Sequence, residues 1–399
     1  MTMSLLPVEE ARARILANVK PLAPQQIPLA KGLGRVLARP LQAKRDQPPF
    51  NASAMDGYAL RTEDQSAVLK IVGISTAGHS FTDKLKPGEA IRIFTGAPVP
   101  ASADAVVIQE NTAAGGKSVT VLQPPRLGQN IRPRGLDFRK GEALLPLSTR
   151  LNARDIGIAA AMNCHLLTVY RKPLVAVIAT GDELVLPGQA PRPDQIISSN
   201  SNAIAAMAES LGAEIINCGI IRDNLKAIER AILKMANADV VVTTGGASVG
   251  DHDFVQQALK NTGVRIDFWK IAMRPGKPFM YGRKGRQHVL GLPGNPVSAL
   301  VCARLFLKPL LDALQGLPAT ETATSARLGA PMAANDSRQD YIRARLDIAP
   351  DGSRTATPFK MQDSSMQRTF REAHCLIVRP PNAPAASPGT LIPILNLDF

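Results

Sequence analysis

The stretch ADVVVTTGGASVGDHD (238–253) decides the fold. Its first half is an apolar, β-branched run without helical period, closed by two glycines, and reads as a fully buried strand. Its second half is small and polar. Gly245 and Gly246 let the backbone approach a ligand with no Cβ in the way, and their N–H groups can form an anion nest. Ser248 flanks the nest, and Asp251 and Asp253 set carboxylates beside it. A phosphate bridged to a carboxylate by a divalent ion such as Mg²⁺ suits such a turn. The plainer alternative is a tight strand-to-helix turn with a capping aspartate.

Outward from this stretch the pattern repeats. PLVAVIAT (173–180), EIINCGII (214–221) and HVLGL (288–292) are apolar runs of strand length. Between the first two, Ser198–Asn200 opens a helix with Ile204, Met207, Ala208 and Leu211 on one face, stopped by Gly212. Asp223 is the expected cap of a helix carrying Leu225, Ile228, Ile232 and Met235, and residues 254–261 form a short helix closed by Gly263. Asn295 begins a long helix with Pro296 in its first position and Gly316 past its end. Strands alternating with helices over short connections predict a doubly wound, mainly parallel sheet. Ligands bind such sheets at the carboxyl ends of the strands, which is where the polar motifs fall.

The rest of the chain reads as smaller, β-rich pieces. Short apolar stretches at 44–140 (AVLKIVG, AIRIFTG, DAVVIQE, SVTVLQ) predict a β-rich domain inserted into a linking domain made of 1–43 and 141–170. Val8, Ala11, Ile15 and Val19 share one face of an N-terminal helix, with Ser4 as a possible cap and Pro7 in the first turn. The α/β domain is placed at 171–322. Short strands in 323–399 (YIRARLDI, AHCLIVRP, TLIPIL) predict a barrel-like C-terminal domain.

Composition narrows the function. The 399 residues are 45% apolar but only 4% aromatic, so the cores are built from Val, Ile, Leu and Ala. A net charge of +14 favours anionic partners. No basic tail and no basic stripe interleaved with aromatics points to nucleic acid. Cys164, Cys218, Cys302 and Cys375 are far apart, and the five histidines lack metal-site spacing, so no zinc centre is expected. Glu9, Glu10, Arg12 and Arg14 break the N-terminal apolar pattern, which argues against a signal peptide. No apolar run approaches the ~20 residues of a membrane span. A cytoplasmic protein is expected.

Further blocks carry candidate chemistry. ATGDEL (179–184) puts Asp182 and Glu183 after a strand, as acid–base groups, metal ligands or a polar turn. KIAMRPGKPFMYG (270–282) groups Lys270, Arg274 and Lys277, either an oxyanion grip or a solvated basic loop. GLPGNPVSA (291–299) offers Pro293, Asn295, Pro296 and Ser298 at a rigid helix start. PPFNASAMDGYAL (48–60) contains Asp56, IFTGAPVPASAD (93–104) contains Thr95, and IRPRGLDFRKGE (131–142) contains Arg132, Arg134 and Asp137. The arginines there either grip an anion or pair at the surface.

Eight motifs in one order, SAMDGYA, FTGAPVP, RPRGLD, TGDEL, IIRD, TTGGASVGDHD, RPGKPF and LPGNPVSA, resemble the MoeA family, which includes the C-terminal domain of gephyrin. The resemblance spans about residues 5–395. It implies four domains: a MogA-like α/β domain, an inserted β-rich domain, a small linking domain and a C-terminal β-barrel. It implies an elongated homodimer with the site shared between subunits, fed by a MogA-like adenylyltransferase. It implies a molybdopterin molybdenumtransferase, which inserts molybdenum from molybdate into adenylyl-molybdopterin with Mg²⁺ and releases AMP. By motif, Asp56, Asp137, Glu183, Asp223 and Asp253 match the family's acidic positions, with Glu183, Asp223 and Asp253 taken as metal ligands. Thr95 and Ser248 match ligand-contacting turns, and Lys270, Arg274 and Lys277 the basic loop. Two departures stand out: Asn51 where the family commonly has Asp, and Arg274 where it commonly has Lys. Two rivals are a MogA-like adenylyltransferase, which explains 171–316 alone, and a gephyrin-like dimeric scaffold without catalysis.

Overall fold

Val240–Thr244 is buried at every residue, as suits a β-branched parallel strand covered on both faces. It pairs in parallel with Leu174–Thr180 on one side and Gln287–Leu292 on the other. Glu214–Ile221 adds a fourth parallel strand. Met280–Lys284 and Arg265–Trp269 then extend the sheet antiparallel. The computed structural model describes residues 5–64, 66–245, 254–319, 324–397 and 399. Their contacts divide the chain into two units, Met1–Gln25 with Tyr170–Phe399, and Gln26–Val169.

In the first unit, alternate strand residues feed two cores. Val175, Val177, Val240 and Val242 pack with Ile204, Met207 and the helical run 296–314 on one face. Ala176, Ile178 and Val241 pack with Ile228, Ile232, Val255 and Leu259 on the other. Helices therefore cover both faces of a mainly parallel sheet, the predicted doubly wound arrangement. The 296–314 run is α-helical at Pro296–Cys302, widens to a π-turn at Ala303–Leu307 and returns to α-helix at Lys308–Leu314.

Local details differ from expectation. Helix Leu225–Lys234 is capped by Asn224, whose Oδ1 accepts from the Ala227 amide at 3.1 Å, not by Asp223. Asn295 sits at the start of its helix but does not cap it; its amide donates to Ser364 Oγ at 2.7 Å. Pro7 occupies the N-cap of helix Val8–Leu16, and Ser4 lies outside the described residues. The 280–292 hairpin was read only in its second strand.

The C-terminal strands Thr324–Leu328, Gln339–Ile348, Arg354–Pro358, Cys375–Arg379 and Leu391–Asn396 each pair on both sides and close a five-stranded barrel. Its inside is small and aliphatic: Ala326, Leu328, Ala344, Ala356, Ile377, Ile392 and Ile394. Tyr341 and Leu376 belong to the core of the α/β sheet instead. Met273–Arg274 pairs with Gln339 and Asp340 as a sixth, short strand.

The second unit holds a six-stranded mixed sheet. Its order is Ala105–Ile108, Gly57–Leu60, Glu89–Ile93, Val68–Ser75, Ser118–Val121, Thr112–Gly115. Successive residues again serve separate clusters, Tyr58 and Leu60 in one and Ala59 in the other. Helix Ala153–Ala161 begins with a capping box between Asn152 and Asp155.

Candidate active site

A cleft of about 470 Å³ opens in the first unit at the carboxyl ends of the 174–180 and 240–244 strands. The strand order reverses there, which is where an open α/β sheet takes its ligand. Thr180, Glu183, Thr244 and Gly245 line one side, and Gly294, Asn295 and Pro296 another. At Gly245 φ is +90°, and an added Cβ would lie 2.4 Å from the Thr180 carbonyl oxygen, so only glycine fits. The Thr180 hydroxyl is buried with no hydrogen-bond partner among the described residues.

Side-chain amides hold the walls. Asn200 Nδ2 donates to the Gly294 carbonyl at 2.7 Å, and Gln367 Nε2 to Ser199 Oγ at 2.6 Å. Ser365 and Gln367 come from the barrel segment and also line the cleft. The sequence reading placed Ser199 and Asn200 only at a helix start and gave no part in the site to Thr180, Ser199, Asn200, Ser365 or Gln367. The available signal was the polar run QDSSMQ (362–367), whose Asp363 accepts from the Ser365 amide and hydroxyl. It also missed Arg343, fully buried beside this run. Among the described residues no hydrogen-bond partner reaches its guanidinium nitrogens, and Gln362 brackets its backbone.

Asp182, Glu183 and Asp223 gather beside the cleft. The Asp223 amide donates to Asp182 Oδ1 at 3.3 Å. Burial pushes the Asp223 carboxyl above the usual range, and the charges of Asp182 and Glu183 push it further. Glu183 folds its carboxylate back over Gly181, where an added Cβ would lie 2.5 Å from Oε2. Asp253, Gly246, Ser248 and Asp251 lie outside the described residues. Among the described residues, no three of His, Cys, Asp and Glu are grouped to hold a metal ion.

The basic loop is only partly available. Arg274 forks onto Asp340, Nε to Oδ1 at 2.9 Å and Nη2 to Oδ2, and also meets Asp336 at 3.4 Å. Lys270 sets its ammonium 4.1 Å from the centre of the Trp269 ring. Lys277 is exposed and has no ion pair among the described residues. Pro293 and Ser298 are buried and do not line the cleft; Asn295 and Pro296 do.

In the second unit, Asp56 and Thr95 meet because Gly57 pairs with Ile93 across antiparallel strands. Asp56 Oδ1 accepts from the Thr95 amide at 2.7 Å and hydroxyl at 2.8 Å. These bonds, the amide's first, hold the Asp56 carboxyl below the usual range, with help from Arg92. Asp137 is exposed, and its amide donates to the Gln47 carbonyl at 2.9 Å. Arg134 pairs with Asp46 instead. Asn51 Oδ1 accepts from the Arg134 amide at 2.9 Å, so the departure at this position keeps an acceptor there.

Three family profiles match the chain: the MoeA N-terminal region (domain I and II) at 6–163, a probable molybdopterin binding domain at 176–313, and the MoeA C-terminal region (domain IV) at 325–397. A molybdopterin molybdenumtransferase of Nostoc sp. is 40% identical over 328 residues, 78% of this chain and 75% of the relative. The Haemophilus influenzae protein of the same name is 34% identical over 381 residues, 94% of each chain. The crystal structure of the molybdopterin biosynthesis MoeA protein from Pyrococcus horikoshii superposes with a TM-score of 0.87 at 30% identity, covering 99% of this chain and 100% of that one. This chain belongs to the MoeA family.

Proposed function

We propose that the chain is a molybdopterin molybdenumtransferase, which takes adenylyl-molybdopterin and molybdate, places molybdenum on the dithiolene and releases AMP. The observation that carries this reading is the cleft itself, with Gly245 and Glu183 on its wall at the carboxyl ends of parallel strands. The name borne by the relatives at 40% and 34% identity supports it.

A divalent cation such as Mg²⁺ fits the acid set. Burial pushes Asp223 toward its neutral form and the like charges of Asp182 and Glu183 push it further, so a cation bound there would favour its ionised form. Glu183 and Asp223, with Asp253, would hold it, and it would neutralise charge on the leaving phosphate. Gly245 lets the backbone N–H groups approach the pyrophosphate. Asn200, Asn295 and Gln367 hold the walls at fixed width. Lys277 supplies counter-charge to molybdate. Arg274 acts indirectly, by fixing the loop through Asp340.

The reading includes a homodimer in which a second copy of the chain supplies Asp56 and Thr95, and a MogA-like adenylyltransferase that makes the substrate. It places the protein in the cytoplasm; no helix among the described residues is long and apolar enough to cross a membrane.

The test is a purified system containing adenylyl-molybdopterin, molybdate and Mg²⁺. AMP and active cofactor should form with wild type and fail with Asp56→Ala. Mixing Asp56→Ala with Glu183→Gln should restore part of the activity, since a mixed dimer holds one intact site. Binding of molybdopterin without AMP release by wild type would favour the scaffold alternative.

A further inference from the structure

A second cavity, of about 430 Å³, lies at the other end of the same sheet, where the 174–180, 240–244 and 287–292 strands begin. Four cations line it: Lys20, Arg171, Arg283 and Arg286. One carboxylate, Asp239, faces them, and it is fully engaged. Arg171 forks onto it at 2.6 and 2.7 Å, and the Leu174 amide donates to it at 2.8 Å. Lys20, Arg283 and Arg286 are left without a counter-charge among the described residues.

Two observations separate this place from an ordinary basic surface. The Arg283 guanidinium is under-satisfied: Nη1 reaches only the Ala17 carbonyl at 3.5 Å, the limit of a hydrogen bond, and the buried Nε has no partner among the described residues. The cations also sit in a concavity rather than on a convex face, and a concavity lined by one sign of charge focuses its field on a small ligand. Val19, Leu22 and Leu314 provide an apolar wall. His288 closes the floor, its Nδ1 tied to the Tyr281 hydroxyl at 2.9 Å. The volume falls within the range of small-molecule sites, roughly 300–1,000 Å³.

We propose that this cavity is a binding site for a phosphate monoester on an apolar body, with the phosphate held by Lys20, Arg283 and Arg286 and the body against Val19, Leu22 and Leu314. Guanidinium groups grip phosphate oxygens in a fork, and the lysine adds a point charge. The hairpin turn RKGR (283–286) delivers both arginines, since Gly285 takes φ +58° between them. The site is separate from the cleft, and the inference does not depend on the reaction proposed above.

The experiment is calorimetric titration of the full chain with phenyl phosphate and, separately, with inorganic phosphate. Phenyl phosphate should bind wild type. The double variant Lys20→Glu/Arg286→Glu, both exposed positions, should weaken that binding by about tenfold or more at an unchanged melting temperature. The cleft variant Glu183→Gln should bind it as wild type does. Inorganic phosphate should bind more weakly than phenyl phosphate. Absence of phenyl phosphate binding, or binding untouched by the double variant, overturns the site. Equal affinity for the two compounds overturns the apolar part of the ligand assignment.

Discussion

The guanidinium of Arg274 is forked onto the carboxylate of Asp340, which lies 66 residues further along the chain on a barrel strand. A charge that looks free in the sequence therefore ties the loop after the 265–269 strand to the barrel. The Asp340 side chain is 9% exposed and that of Arg274 49%. Arg274→Ala strands a nearly buried carboxylate, and unfolding by urea should show a loss of roughly 2 kcal/mol, reduced from the fully buried case by the exposure of Arg274. Lys277→Ala, which breaks no pair, should leave stability within about 0.5 kcal/mol of wild type. Equal stability of the two variants would refute a structural role for Arg274.

Gly245 meets the Thr180 carbonyl too closely for any Cβ and adopts a left-handed φ. Gly245→Ala should lower stability by about 1–3 kcal/mol and reshape the cleft at its strand ends. Denaturation of the variant beside wild type gives the number, and a crystal structure with an undisturbed 180–245 contact would contradict the expectation.

Asp56 is aimed by Thr95. Thr95→Val removes the hydroxyl bond but keeps the amide bond. The Asp56 carboxyl should move up toward its ordinary value, readable by NMR titration, and turnover should fall about tenfold, while Thr95→Ser keeps both. If Thr95→Val shifts neither the titration nor the rate, the pair has no positioning role.

His288 is buried, and desolvation brings its pKa down to about 4, with Arg283 adding to the fall and Asp239 opposing it. The unfolded chain takes up that proton near pH 6.5. Stability from this group is thus full above about 6.5 and lost as pH falls toward 4, by roughly 3 kcal/mol at most. His288→Gln should flatten the acid side of the stability profile over that window; an unaltered slope would show that other groups govern it.

The α/β sheet was legible because each buried strand is a run of β-branched residues and each helix keeps one apolar face. The Met280–Lys284 strand was not, since two of its five residues are charged and its partner lies across a short turn. The C-terminal barrel was legible from its recurring short strands, but its register was not, because that depends on which distant residues pair, as Ala326 with Ile392 or Asp340 with Arg379. The same limit governs the site. Glu183 and Gly245 follow strands and fall where the strand rule puts them. Asn200, Ser365 and Gln367 reach the cleft through tertiary packing that no local pattern encodes. Asp223 was misread as a cap because Asn224, one residue later, offers the better-placed oxygen.

The central claim is that the cleft beside Glu183 carries molybdenum transfer. The direct measurement is molybdate-dependent AMP release from adenylyl-molybdopterin by wild type and by Glu183→Gln, with binding of the substrate followed in parallel. The account predicts release by wild type and a loss of about a hundredfold or more in the variant, with substrate still bound. Release at the wild-type rate by Glu183→Gln would contradict it.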